Sequence, residues 1–141
     1  MKNATRMLAI AVTMLPLLAT AQLSKSTKLD TQVPFQFLVG NRLVPAGECI
    51  VQSAGVGDSL VAIHGAETKF SLFSLVTKAD PQSGKSVNAL IFHRYGNVYF
   101  LSGMKLASTG QTYELPQGKV EAELRAQNVP AKEEILLAAV K

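Results

Sequence analysis

The sequence predicts an all-β, mainly antiparallel fold, a small β-sandwich or partly closed barrel with one short helix near the C-terminus. Three observations predict it. Short runs of β-branched and aromatic residues succeed one another from Val33 to Ser102. Turn signals built on Gly, Pro and Asn divide those runs at regular intervals. Helical spacing is confined to one segment, after Leu115-Pro116.

The chain opens on Lys2 and Arg6, an uncharged run from Met7 to Leu18, and Ala19-Thr20-Ala21 before Gln22. That is the layout of a secretory signal peptide cleaved after Ala21. The apolar run of 12 residues falls short of the roughly 20 that span a hydrocarbon core, so the segment reads as an address. The expected product is periplasmic or extracellular, with no stable membrane insertion after cleavage. Removing residues 1–21 from 141 leaves 120, enough for one core. Residues 22–31, carrying Ser24, Lys25, Ser26, Thr27 and Lys28, read as a polar, flexible lead-in, and residues 32–141 as a single β-rich domain.

Cleavage takes Lys plus Arg from 14 to 12 against 10 acids, a net charge near +2. No basic cluster is dense enough to follow a phosphate backbone, which argues against a nucleic-acid partner. Cys49 is the single cysteine, so no intrachain disulfide can form although export permits one. Flanked by Glu48 and Ile50-Val51, its thiol reads as a small buried hydrophobe.

Val33, Phe35, Phe37 and Val39 alternate with Pro34, Gln36 and Leu38, the period of a strand with one apolar face; Pro34 places it at an edge. Gly40-Asn41 and Val44-Pro45-Ala46-Gly47 are turns. Strands are then expected within Glu48–Ala54, Ser59–His64 and Thr68–Thr77, the last closed by Asp80-Pro81-Gln82-Ser83-Gly84.

The clearest unit is a hairpin, Ala89–Tyr95 and Val98–Ser102 around Gly96-Asn97. A two-residue turn there pairs Tyr95 with Val98, Arg94 with Tyr99, His93 with Phe100 and Phe92 with Leu101. Ile91, His93, Tyr95, Val98, Phe100 and Met104 then share one face, and Leu90, Phe92, Arg94, Tyr99 and Leu101 the other. Both faces are largely apolar, so the hairpin should lie centrally, covered by sheet on one side and by helix or loops on the other.

From Gln117 to Gln127, Val120 and Leu124 stand four apart, and Lys119/Glu123 and Glu121/Arg125 can pair at the same spacing. This is a short helix with a narrow apolar stripe, whose stability must come from docking. Glu133 to Val140 is compatible with strand or helical tail; β-branched residues and the preceding Pro130 favour a strand closing the sheet. About seven or eight strands are expected in all.

No arrangement carries legible chemistry, and no catalytic residue, metal ligand or cofactor site is assigned. His64 and His93 are far apart, without the spacing of a zinc site, and each reads as a half-buried strand residue with one ring nitrogen satisfied. No Gly-x-Ser-x-Gly turn is present. Cys49 and His93 could act as nucleophile and base only if folding joined them. Glu121, Glu123, Glu133 and Glu134 read as solvated charge, and Gly55-Val56-Gly57 as a loop lacking the lysine and helix of a phosphate cradle. The candidate binding residues are Arg94, Tyr95, Asn97 and Tyr99 at the hairpin tip, with Arg94 able to stack over Tyr99.

Val33-Pro34-Phe35 through Val39-Gly40-Asn41, Leu43-Val44-Pro45-Ala46-Gly47-Glu48, and Phe92-His93-Arg94-Tyr95-Gly96-Asn97-Val98-Tyr99-Phe100-Leu101-Ser102 together resemble a family of small exported β-rich proteins common in acidobacteria. The resemblance covers most of the mature chain and implies fold and export, but no activity. The functional expectation is therefore an exported, non-enzymatic binding or envelope-associated structural module with an unknown envelope or extracellular partner. A small carrier of an apolar ligand between sheet layers is the alternative, and an enzyme of unknown type the third.

Overall fold

A computed structural model describes residues 27–140 except 56, 68 and 81–83. The expected signal peptide, its cleavage point at Ala21 and residues 22–26 lie outside the described residues. In chain order the elements are β1 (Lys28–Val33), β2 (Phe37–Val39), β3 (Arg42–Val44), β4 (Gly47–Ser53), β5 (Leu60–Gly65), β6 (Ser71–Leu75) and β7 (Thr77–Ala79). They continue as β8 (Ala89–Tyr95), β9 (Val98–Leu106), β10 (Gln111–Glu114), α1 (Lys119–Ala126), β11 (Lys132–Leu137) and β12 (Ala139–Val140).

Two sheets pack as a sandwich, as the fold class anticipated. The first has the order β12-β1-β4-β5-β6 and the second β11-β8-β9-β10-β7, with the β2–β3 hairpin beside β9 through the parallel pair Leu38 and Phe100. Every other pairing is antiparallel. The chain passes between sheets at residues 34–36, 45–46, 76 and 138. At two of these, β6 to β7 and β11 to β12, it joins the edge of one sheet to the edge of the other. The sheets are thus tied at both margins without closing into a barrel.

These crossings explain why twelve strands stand among the described residues where seven or eight were expected. The single strand anticipated from Val33 to Val39 breaks at Pro34, which has no N–H for a ladder and bends the chain from one sheet to the other. The Thr68–Thr77 run is likewise cut at Val76, whose N–H donates to the Ser59 carbonyl at 2.9 Å. At the C-terminal end the expected strand forms, in two parts: the Ala138 N–H donates to the Asn88 carbonyl at 2.8 Å, between β11 and β12.

The lead-in also ends sooner than residue 31. β1 begins at Lys28, and Leu29, Asp30 and Thr31 are buried. Leu29, Thr31 and Val33 alternate inward against β4, with Thr31 opposite Cys49. The Thr31 hydroxyl escapes the cost of burial by donating to the Leu137 carbonyl at 2.7 Å. Lys28, Asp30 and Gln32 masked this alternation in the sequence.

The core between the sheets centres on Val33, Phe37, Ile63, Leu90 and Phe92. Phe92 meets Phe35 and Phe37 edge-on, each at 5.2 Å between centroids, a favoured geometry for aromatic rings. The β8–β9 hairpin forms in the expected register about Gly96, whose φ of +62° places it in the left-handed region. A bulge beyond the Phe92–Leu101 pair sets Ile91 opposite Gly103 and Leu90 opposite Met104. Met104 consequently joins the core instead of the His93 face.

Helix α1 covers the outer face of the second sheet, but not by its apolar stripe. Val120 is 42% exposed and Leu124 half-buried, whereas Glu121 is only 3% exposed. The helix starts where Gly118 presses on the β2–β3 turn. A Cβ on Gly118 would stand 2.3 Å from the Gly40 carbonyl oxygen, and the Lys119 N–H donates to Asn41 Oδ1 at 2.8 Å. A side chain from another turn thus satisfies a donor that the helix itself leaves open.

Candidate functional site

A cavity of about 660 Å³ lies between the sheets at one end of the sandwich. Leu29 of β1, Val51 of β4 and Val61 of β5 form one wall; Met104 and Leu106 of β9 and Tyr113 of β10 form the other. Its sides are apolar because inward positions of facing strands meet there. Exposed loop residues Gly55, Gly57 and Asp58, with Thr109, form its rim. The Ala54 N–H donates to the Leu60 carbonyl at 2.9 Å and closes the loop at its base. At the tip, Gly57 has φ +90° and Asp58 φ +55°. Asp58 is the one charged residue among the described residues that line the cavity. Burial first, and the Asp58 charge second, push the Tyr113 phenol above its ordinary pKa.

On the opposite face of the second sheet, beneath α1, is a polar cleft of about 300 Å³ lined by His93, Ser102, Glu114, Glu121, Arg125 and Glu133 among others. His93 Nδ1 is 2.8 Å from Glu121 Oε1, and the Tyr95 hydroxyl donates to the same oxygen at 3.4 Å. Burial, followed by the Glu121 charge, raises the Tyr95 pKa. Ser102 donates to the Ile91 carbonyl at 3.1 Å. The expectation that Glu121 is solvated is therefore corrected: its carboxylate is the buried anchor of the helix. Among the described residues no group of three or more His, Cys, Asp or Glu is placed to hold a metal ion.

The four candidate residues of the hairpin tip do not share one surface. Asn97 is exposed, but Tyr95 is buried under the helix at 4% exposure. Tyr99 lies on the other face, stacked on Phe35 with centroids 3.7 Å apart. The expected stacking of Arg94 on Tyr99 is present, with the guanidinium carbon 5.4 Å from the ring centroid. Arg94 also donates from Nε to the Gly96 carbonyl at 2.7 Å and approaches Glu134 Oε1 at 3.6 Å. These contacts tie Arg94 to the hairpin turn and to the neighbouring strand β11.

His64 is half-buried, its Nε2 3.4 Å from Gln52 Nε2. Cys49 faces the core from the first sheet while His93 lies on the outer face of the second, so folding does not join them. Burial, then the charge of Asp30, pushes the Cys49 thiol up to about 12. The cavity escaped sequence reasoning because its walls come from strands scattered over the chain. The nearest signal is the Gly55-Val56-Gly57 segment, read from sequence as a loop without the lysine and helix of a phosphate cradle.

Comparison with protein-family models, curated proteins and solved structures returns no match. The functional reading therefore rests on the fold, the interlayer cavity and the cleft beneath α1.

Proposed function

We propose that the mature protein is an exported, non-enzymatic binding module that carries a small, largely apolar ligand between its two sheets. The observation that supports this reading is the interlayer cavity. Its volume of about 660 Å³ falls within the roughly 300–1,000 Å³ of ligand sites, and its wall is mainly apolar with a few polar groups at the rim. The wall residues Leu29, Val51, Val61, Met104 and Tyr113 belong to the core itself, so the site is held by the fold.

The signal-like Lys2–Ala21 segment and the resemblance to small exported proteins support a location outside the cytoplasm. The non-enzymatic reading draws on the groups that would do chemistry. The Ser102 hydroxyl donates to a carbonyl, and the Cys49 thiol is buried and held protonated. The test is mass spectrometry of an organic extract of protein purified from its native envelope fraction. A carrier yields an apolar compound at about one per chain; protein that is empty from that source contradicts the proposal.

A further inference from the structure

We propose that the ligand is an amphiphile with a cationic head, its tail between the sheets and its head against Asp58 at the rim. The inference rests on the carrier reading and adds the charge of the ligand. Leu29, Val51, Val61, Val76, Met104 and Leu106 offer the tail an apolar channel. Ser53 and Thr109 toward the mouth and the Tyr113 phenol in the wall supply neutral polar groups, and Asp58 supplies the single charge among the described lining residues. Among the described residues Asp58 has no ion-pair partner.

A carboxylate in this position sorts ligands by the sign of their heads. A fatty-acid carboxylate seated at the same depth would meet Asp58 as a like charge. An ammonium or guanidinium there gains a partner that no described residue supplies. The loop fixes this arrangement: Gly57 and Asp58 both hold positive φ, and the Ser59 hydroxyl donates to the Gly57 carbonyl at 3.2 Å. Attraction at an exposed carboxylate is worth about threefold in affinity. Repulsion of an anion is worth a similar factor, so heads of opposite sign should differ by roughly tenfold at low salt and by less as salt screens them.

The experiment titrates dodecylammonium and dodecanoate, each below its micelle-forming concentration, against protein carrying the apolar fluorophore N-phenyl-1-naphthylamine. It uses wild type and Asp58→Asn, since asparagine tolerates the left-handed backbone that Asp58 occupies. The expected result is displacement by dodecylammonium at roughly tenfold lower concentration than dodecanoate, a gap that closes in Asp58→Asn. Equal displacement by the two in wild type, a preference for dodecanoate, or a gap that persists in Asp58→Asn overturns the assignment of charge and leaves the carrier reading standing. A fluorophore that does not bind wild type at all overturns the carrier reading, and this inference with it.

Discussion

His93 Nδ1 stands 2.8 Å from Glu121 Oε1, and through this contact helix α1 is fastened to the second sheet by a buried carboxylate. The His93 ring is about one-third exposed while the carboxylate is covered. Removing the histidine therefore leaves a charge that water cannot fully reach, the costly half of a broken pair. His93→Ala is expected to lower stability by about 2 kcal/mol. Val120→Ala, on the exposed side of the helix, should stay within about 0.5 kcal/mol of wild type. Urea denaturation of the two variants checks the order; a larger loss from Val120→Ala would mean that the apolar stripe does the docking.

Gly118 has an ordinary extended backbone, φ −76°, so its requirement is one of space. A Cβ 2.3 Å from the Gly40 carbonyl oxygen cannot be accommodated without moving the helix start or the β2–β3 turn. Gly118→Ala should cost about 1–3 kcal/mol, the range for overpacking. Gly118→Ala melting at the wild-type temperature would contradict the close approach.

Gly96 poses the opposite requirement. Nothing lies within 4 Å of its would-be Cβ, but its φ of +62° penalises a β-branched residue. Gly96→Val is expected to cost about 1–3 kcal/mol through backbone strain, and thermal melting reads it directly. An unchanged midpoint would move the turn elsewhere.

Cys49 has a sign that can be worked out. Its ordinary value of 9.0 is raised to about 12 by burial and Asp30, so folding favours the protonated thiol. The contribution is fully present below pH 9 and is lost as pH rises from there toward 12, because the unfolded chain ionises first. Native protein should react slowly with a thiol reagent at pH 8 and rapidly in denaturant. The stability gap between wild type and Cys49→Ala should narrow above pH 9. Equal reaction rates in the native and denatured states would show that the thiol is not buried.

The β8–β9 hairpin was legible in the sequence because its information is local: alternation on either side of Gly96-Asn97 sets its register. The C-terminal strand was only partly legible: residues 133–140 fitted a strand or a helical tail, and the β-branched residues and Pro130 favoured the strand. What the sequence hid was non-local. Leu29 and Thr31 read as part of a lead-in until β4 lies beside them, and Val33 to Val39 reads as one strand until its two ends belong to different sheets. Glu121 looked solvated because nothing in its neighbourhood announces that His93 and Tyr95, more than 20 residues away, will close over it. The cavity is the extreme case, assembled from strands β1, β4, β5, β9 and β10, two loops and the Val76 crossing.

The central claim is that the space between the sheets binds an apolar ligand, and filling that space tests it most directly. Leu106 lies half-buried on the cavity wall, where a tryptophan would project into the site. Titration of N-phenyl-1-naphthylamine should give wild type one saturable site per chain, and Leu106→Trp should lose it at an unchanged melting temperature. Absence of saturable binding in wild type, or undiminished binding in a well-folded Leu106→Trp protein, would contradict the account.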